Sequence, residues 1–364
     1  MKVNIPLNHA TLTLIAEIDE FKGAWAAYQK ISPDTLALMR HVATIASVGS
    51  STRIEGVKLS DAEIEALLAG LSTESFASRD EEEVAGYAEA VNLVFDAYER
   101  IPLSENYICQ LHQILLKFSS KDIRHRGNYK KHPNHVEAFD EDGRSLGVIF
   151  ETASAFDTPI KMRELVEWLQ TTLDKKLLHP LLAIAAFVVM FLAIHPFQDG
   201  NGRLSRVLTL LLLLKADYHY VPYSSIEQII ENNKEAYYRA LRLTQQTLAN
   251  EQPDWLPWLS FFLQTLAKQK QRLEARLKQE QRLVKQALSA LEEQMMTIIN
   301  NRGKATIGEL VILTSSSRNT LKSSLKKLVN LQLIELHGKG RGAFYRKTIE
   351  RRAKRNEDGS RLIL

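Results

Sequence analysis

The stretch His195-Pro196-Phe197-Gln198-Asp199-Gly200-Asn201-Gly202-Arg203-Leu204-Ser205-Arg206 is the most informative part of the sequence for the fold. It lies between two apolar runs, residues 181–194 and 208–214. The first run is shorter than the roughly 20 residues that span a bilayer, so it is predicted to be a buried core helix. The polar stretch is therefore predicted to be a loop held by the core, with a helix starting at Arg203.

Glycine and charge spacing in this loop predict a phosphate site. Gly200 and Gly202 flank Asn201, and glycine lets backbone N–H groups point to one side without steric cost. The helix that follows adds free N–H groups and the positive end of its dipole. Arg203 and Arg206 lie three residues apart, so on a helix both face the same phosphate oxygens.

Two further side chains in the loop supply chemistry. Asp199 offers a hard oxygen ligand, which suits Mg²⁺ bridging phosphates. His195 ends the apolar run, and a neutral imidazole there can take a proton from an incoming hydroxyl. Taken singly, each of these features is more often structural. Their occurrence together in one short loop favours a phosphate site with a general base beside it.

The loop resembles the signature of the Fic/DOC family, His-x-Phe-x-Asp/Glu-Gly-Asn-Gly-Arg-x-x-Arg, and matches it at every fixed position. The resemblance implies a mainly α fold, with a Fic-type helical core and a β-hairpin flap. It also implies an enzyme, a protein adenylyltransferase. Such an enzyme transfers AMP from ATP to a Ser, Thr or Tyr hydroxyl of a target protein or of itself.

By the same resemblance, His195 is the catalytic general base and Asp199 the ligand of Mg²⁺. Phe197 is expected to be a packing anchor. The resemblance implies that the phosphates of ATP are bound by Gly200, Asn201, Gly202, Arg203 and Arg206. Farther along, Tyr237-Tyr238 resembles a tyrosine pair near the adenine pocket, so Tyr237 joins the nucleotide-binding residues. An ordinary amphipathic helix explains that pair equally well.

A second match lies upstream, at Ser51-Thr52-Arg53-Ile54-Glu55-Gly56. It resembles the family's inhibitory motif, Ser/Thr-x-x-x-Glu-Gly/Asn, with Ser51, Glu55 and Gly56 at the fixed positions. The resemblance implies that Glu55 pairs with Arg206 and takes the place of the ATP γ-phosphate. A carboxylate mimics one phosphate charge and removes one phosphate ligand. In some family members this glutamate also positions a water for removal of AMP, so both directions are allowed.

Periodicity and capping signals predict helices along most of the chain. Ser32-Pro33-Asp34 is typical of a helix start, and Ser60-x-x-Glu63 is a capping box. One helix is predicted over residues 225–249. Within this helical sequence, β-type runs at residues 135–139 and 146–150, separated by a polar turn, predict a β-hairpin. By position it resembles the family's flap, which pairs with the target segment as an added strand.

The C-terminal quarter differs in charge and pattern. The net charge is +4, but residues 1–100 carry −8 and residues 268–364 carry +13. Three helices followed by a turn of glycine and basic residues are typical of a winged helix-turn-helix. Basic residues on the third helix and one in the wing favour DNA binding: Arg318, Lys322, Lys326 and Lys327 on the helix, and Arg341 in the wing. Many winged helices contact only proteins, so both alternatives remain.

A length of 364 residues favours two or three domains. We predict an N-terminal helical region with the inhibitory motif over residues 1–100. A Fic catalytic core follows over residues 101–265, with its flap near 135–150. A helical linker over 266–290 leads to a winged-helix-like domain over 291–348 and a charged tail over 349–364.

Other features bound the setting of the protein. Cys109 is the one cysteine, which excludes an internal disulfide and favours a reducing compartment. Neither a signal peptide nor a membrane span is indicated, so a soluble cytoplasmic protein is expected. His132 and His135 suggest no metal set. The resemblance makes a homodimer plausible, although no sequence pattern indicates one.

Two other functions remain open from the sequence. In one, the chain is a DNA-binding regulator that uses the Fic core as a sensor of a ligand or partner. In the other, the enzyme transfers a different nucleotide-derived group, such as UMP, phosphocholine or a phosphate. The complete signature, with its base and both arginines, favours AMP transfer.

Overall fold

The computed structural model describes residues 3–28, 33–70, 76–139, 145–286, 288–331 and 333–348. Contacts divide the chain into two compact units. The larger comprises the residues up to Trp25 and Leu36–Ala275, and the smaller comprises Ala26–Thr35 and the residues from Arg276 onward. The division falls inside the predicted linker 266–290, while the predicted domain boundaries themselves remain predictions.

The chain is mainly α-helical, as predicted. The helices up to the central loop are α1 His9–Tyr28, α2 Pro33–Ile54, α3 Asp61–Ala69, α4 Arg79–Ala97, α5 Glu105–Leu115, α6 Thr158–Asp174 and α7 Pro180–Ile194. Those after it are α8 Asn201–Lys215, α9 Ile226–Glu231, α10 Lys234–Gln245, α11 Leu256–Gln286, α12 Ala290–Arg302, α13 Ile307–Thr314 and α14 Arg318–Asn330.

The core of the larger unit lies around α7 and α8, which pack against each other. Nearly every residue of both helices is buried, including the bulky Phe187 and Phe191. The indole N–H of Trp258 on α11 donates to the carbonyl of Ala185 at 2.7 Å, which fixes α11 across α7. Because both flanking helices are anchored, the loop between them is held at both ends.

Several predicted helix starts are confirmed. Ser60 and Glu63 form the predicted capping box, and α2 begins at Pro33. The helix after the central loop starts at Asn201, two residues before the predicted Arg203, so Gly202 belongs to its first turn.

The single helix predicted over residues 225–249 is wrong. The chain breaks after α9, and α10 starts at Lys234. Asn233 has left the helical conformation, and its side-chain amide donates to the carbonyl of Ile229 at 2.7 Å. Asparagine competes with the helix ladder in this way because its short side chain can bond the local backbone.

The predicted hairpin is confirmed. Strand β1 (His135–Phe139) pairs antiparallel with β2 (Ser145–Glu151), with irregular register after Val136 and after Ala138. The predicted polar turn lies outside the described residues.

The smaller unit contains α12, α13 and α14 beside a three-stranded sheet. Its strands are β3 (Ala305–Thr306), β4 (Ile334–His337) and β5 (Phe344–Lys347), in the spatial order β3-β5-β4. Strand β3 was not predicted from the sequence. A separate apolar cluster fills this unit: Met295, Ile299, Ala305, Leu310, Leu321, Leu325, Leu328 and Ile334.

None of the helices in the described residues combines the length and apolar character needed to span a membrane.

We expect two glycine-to-alanine changes to have opposite effects on stability. On α4, Gly86 packs against the backbone carbonyl of Leu115, and an added Cβ would collide with that oxygen. Gly86→Ala should lower the free energy of unfolding by about 1–3 kcal/mol, because backbone cannot move aside cheaply. Gly23→Ala on α1 meets no atom within 4 Å and should gain up to about 1 kcal/mol. Urea unfolding of both variants measures the difference, and equal effects would contradict this packing.

Candidate active site

Two left-handed residues bound the central loop. His195 follows α7 with φ 52°, and Gly200 caps the start of α8 with φ 77°. Left-handed backbone costs about 1–2 kcal/mol for a residue with a Cβ, so surrounding contacts must hold His195 in place. These two left-handed residues turn the chain, so one short loop connects the end of α7 to the N-terminus of α8.

Asn201 braces this loop from inside. Its side-chain oxygen accepts from the N–H of Phe197 at 2.9 Å, and its side-chain nitrogen donates to the Phe197 carbonyl at 2.7 Å. Phe197 is fully buried, as expected of an anchor. Both ends of the Asn201 amide thus brace the loop, and the phosphate role predicted for Asn201 remains a prediction.

His112 on α5 also supports the loop, and sequence reasoning missed it. Its ring stacks on Phe197 with 3.8 Å between centroids. Nδ1 accepts from the N–H of Gly127 at 2.8 Å, so Nε2 carries the proton and donates to the carbonyl of Asp199 at 3.0 Å. Burial lowers the pKa of His112 to about 4. The available signal was a histidine on the apolar face of α5, between Ile108 and Leu115.

His195 is the predicted base, and its surroundings favour the neutral imidazole. Burial and the nearby Lys130 charge lower the pKa of His195 to about 4. A ring that is neutral at pH 7 is what proton abstraction from a hydroxyl requires.

Arg203 and Asp199 lie together at the start of α8. Nη1 of Arg203 donates to Glu83 at 2.7 Å, and its Nη2 lies 3.4 Å from Asp199. Lys121 contacts the other oxygen of Asp199 at 2.8 Å. Although burial opposes its charge, these cations lower the pKa of Asp199 to about 2. Both partners of Arg203 and the contact from Lys121 were not foreseen from the sequence.

Arg206 joins this loop to the upstream motif, across 151 positions. Its Nη2 donates to Glu55 at 2.7 Å and to the Ser51 carbonyl at 3.0 Å, and its Nε donates to the Ser51 hydroxyl at 2.7 Å. Burial lowers the pKa of Arg206, but the Glu55 charge outweighs this and raises it. Burial likewise opposes the Glu55 carboxylate, whose pKa Arg206 nevertheless holds below its ordinary value.

The Glu55 carboxylate lies on the backbone of Gly202, where an added Cβ would overlap its Oε1. Gly56, with φ 105°, turns the chain away directly after Glu55. The helix N-terminus predicted to receive phosphate therefore receives a carboxylate of the same chain.

Arg53 holds this turn in place. Its guanidinium makes a two-pronged ion pair with Glu231 on α9, at 2.6 and 3.1 Å, and a third contact with Asp61 on α3 at 2.9 Å. Two-pronged pairs fix orientation as well as distance. The end of α2 is thus fastened to two other helices on either side of Glu55.

Tyr237 lies behind Arg206, packed against Trp258 and Phe261 and almost fully buried. Its neighbour Tyr238 is 40% exposed. The nucleotide role predicted for Tyr237 remains a prediction, and the geometry gives Tyr237 a packing role beneath the arginine.

The predicted Mg²⁺ site has one protein ligand, Asp199. The described part of the chain contains no group of three or more His, Cys, Asp or Glu side chains that could hold a metal ion. One ionised carboxylate fits Mg²⁺ nevertheless, since this ion is commonly held by one or two carboxylates, substrate phosphates and water.

Residues 102–213 match the model of the Fic/DOC family. This part of the chain is a Fic/DOC domain. The structure is similar to that of a Fic family protein from Desulfovibrio desulfuricans, with TM-score 0.61, 22% identity, and coverage of 97% of this chain and 100% of that one.

It is also similar to a Fic domain containing signaling protein from Bacteroides thetaiotaomicron, with TM-score 0.59, 25% identity, and coverage of 72% and 97% of the two chains. Fic-1 from C. elegans has TM-score 0.57 at 18% identity, with coverage of 73% and 72%. Together these similarities confirm the Fic-type fold.

The two buried histidines should make stability depend on pH. Both have pKa values lowered from 6.5 to about 4. Between about pH 4 and pH 6.5 the unfolded chain therefore binds more protons than the folded chain. The free energy of unfolding is largest above about pH 6.5 and falls as the pH falls toward 4. Each histidine should cost about 2 kcal/mol by about pH 5.

His112→Gln should remove one of these two contributions. Its free energy of unfolding should fall less than that of the wild type between about pH 7 and pH 5. Urea unfolding at both pH values measures this, with His41→Gln as the control because His41 is exposed. An equal loss in His112→Gln and in the wild type would contradict the buried neutral assignment.

Proposed function

We propose that the Fic/DOC domain is a protein adenylyltransferase that is inhibited by Glu55 of its own chain. The observation that carries the proposal is the Arg206–Glu55 ion pair on the backbone of Gly202. A carboxylate held by an arginine at a helix N-terminus occupies a site with the chemistry of a phosphate site. ATP is the proposed donor.

In the proposed reaction, His195 takes the proton of a target hydroxyl. The hydroxyl oxygen then attacks the α-phosphorus of ATP, and the bond from that phosphorus to the bridging oxygen breaks. Pyrophosphate leaves, and AMP remains on the target. The backbone N–H groups at the start of α8 receive the phosphates, and the charges of Arg203 and Arg206 stabilise the leaving group. Mg²⁺, when held by Asp199, would neutralise phosphate charge.

The target is proposed to lie along the flap hairpin, as an added strand beside β1 or β2. Among the described residues this sheet has two strands, so each strand has one edge that is not paired within the sheet and could accept another strand. Removal of AMP by the same site and a homodimer remain predictions from the family resemblance, and a cytoplasmic location remains a prediction from the sequence.

Glu55→Gly should raise AMP transfer. Without its carboxylate, Arg206 and the N-terminus of α8 are free to bind the γ-phosphate, so we expect an increase of about tenfold or more. The measurement is label transfer from α-³²P-ATP to the protein itself and to a cell lysate, with mass spectrometry to identify the transferred group. Glu55→Gln, which keeps the size and removes the charge, should give a smaller increase.

His195→Ala in the Glu55→Gly background is the matched loss-of-function control. General base catalysis contributes about 10²–10⁴ in rate, so transfer should fall at least about 100-fold. His41→Ala, at an exposed position, should leave transfer unchanged. No increase in Glu55→Gly would disprove the inhibitory role. Persistent transfer in His195→Ala would disprove the base assignment. A transferred group other than AMP would support the other-donor alternative.

We propose nucleic-acid binding by the smaller unit as a second function. Arg318, Lys322 and Lys326 are exposed on α14 at intervals of four residues, so they lie on one face of that helix. Lys327, predicted to share this role, is also exposed and contacts Glu292 on α12 at 2.8 Å. The arrangement of three helices and a small sheet supports a winged helix-turn-helix, which reads DNA through such a helix.

Reversing two of these charges should weaken DNA binding. Lys322→Glu with Lys326→Glu should lower affinity for a random duplex and reduce the slope of log affinity against log salt by about 2. Fluorescence anisotropy at several salt concentrations measures both quantities. The control is Lys131→Glu with Lys175→Glu, two exposed lysines of the larger unit. Equal affinity in both double variants would favour a protein partner for this unit.

A further inference from the structure

Lys130 and Asn134, which precede the flap, donate hydrogen bonds to four successive backbone carbonyls at the end of α7 and in the central loop. Lys130 donates from Nζ to the Ile194 carbonyl at 3.1 Å and from its backbone N–H to the Pro196 carbonyl at 2.8 Å. The side-chain amide of Asn134 donates to the carbonyls of His195 at 3.4 Å and Phe197 at 2.8 Å. These bonds supply the contacts that hold His195 in its left-handed conformation.

The same lysine connects both ends of the flap hairpin. Its Nζ donates to the side-chain oxygen of Asn134 at 2.7 Å and to the hydroxyl of Thr152 at 2.9 Å. The Thr152 hydroxyl in turn donates to the Asn134 carbonyl at 2.7 Å. Asn134 immediately precedes β1 and Thr152 immediately follows β2, so both ends of the hairpin meet at one ammonium group.

Lys130 is buried, and the three acceptors of its Nζ are all neutral oxygens. One of them, the Ile194 carbonyl, belongs to the C-terminal end of α7, where the helix dipole favours a cation. Burial, and to a smaller extent the charge of Lys161 on α6, lower the pKa of Lys130 to about 8. The group therefore stays mostly charged at pH 7.

Three charged side chains act on the His195 ring. Lys130 opposes a proton there, while Glu55 and Asp199 favour one. Lys130 is the one cation among these three, and it faces His195 from the flap side. Its charge therefore offsets the two carboxylates, which would otherwise make the imidazole easier to protonate.

We propose that Lys130 is a positioning residue, which fixes the backbone of the central loop to both ends of the flap and keeps His195 in its proton-accepting form. The proposal rests on the proposed transferase function for its consequence in catalysis. The effect of the Lys130 charge on the pKa of His195 does not depend on that function, and it can be measured without any substrate.

The test compares Lys130→Met, Lys130→Gln and Lys130→Arg in the full chain carrying Glu55→Gly. Histidine-labelled NMR follows the titration of His195, assigned by its loss in His195→Gln. Lys131→Met is the matched control, because Lys131 is adjacent and exposed. Lys130→Gln keeps a donor and removes the charge, so it serves if Lys130→Met does not fold.

We expect the pKa of His195 to rise in Lys130→Met and Lys130→Gln, and to return toward the parent value in Lys130→Arg. In the pH profile of AMP transfer, the acid limb should move to higher pH by the same amount. Lys131→Met should change neither the pKa of His195 nor this pH profile. An unchanged pKa of His195 in a folded uncharged variant would overturn the proposal. If the NMR shift occurs and no variant transfers AMP, the proposed function fails and the electrostatic assignment of Lys130 stands.

Discussion

A guanidinium buried in the protein core requires a negative partner, and much of this site depends on how Arg206 obtains one. Arg206 extends from α8, one of the two most deeply buried helices, so moving its charge into water would disturb the core. Glu55 supplies the partner from the end of α2. Leaving such a charge unpaired costs several kcal/mol, so Glu55 can be replaced only by another anion. The polyphosphate of a nucleotide meets that requirement.

The loop beside Arg206 depends on a different constraint, the pairing of its backbone groups. Lys130, Asn134, Asn201 and His112 together donate to five of its carbonyls, those of Ile194, His195, Pro196, Phe197 and Asp199. A loop whose polar groups are paired in this way is rigid, and rigidity is required if a base and an anion site are to keep a fixed separation. The flap shares these contacts, which links the proposed target site to the geometry of His195.

The sequence predicted the parts of the site that lie in one stretch or in a known pattern. The central loop, the hairpin and the Ser60 cap follow from local residue types. The roles of His112 and Lys130 did not, because each bonds a backbone carbonyl of the central region 64 or more positions away, and such a contact leaves no trace in a side-chain pattern. The break before α10 was missed because the local bond of Asn233 competes with a strong helical period. The ion pair of Lys327 was not foreseen because Glu292, its partner, lies 35 residues away.

Gly202 has a consequence for how this protein can change during evolution. The bare backbone at this position accommodates the Glu55 carboxylate, and the proposed phosphate would lie on the same surface. A single methyl group there would exclude both. Mutations that abolish the proposed inhibition while sparing the proposed activity are therefore expected at residue 55 and in the Arg53 contacts, and not at Gly202. The proposed inhibition is thus tuned through the end of α2 and the helices that hold it, α3 and α9, and not through the backbone that receives the anion.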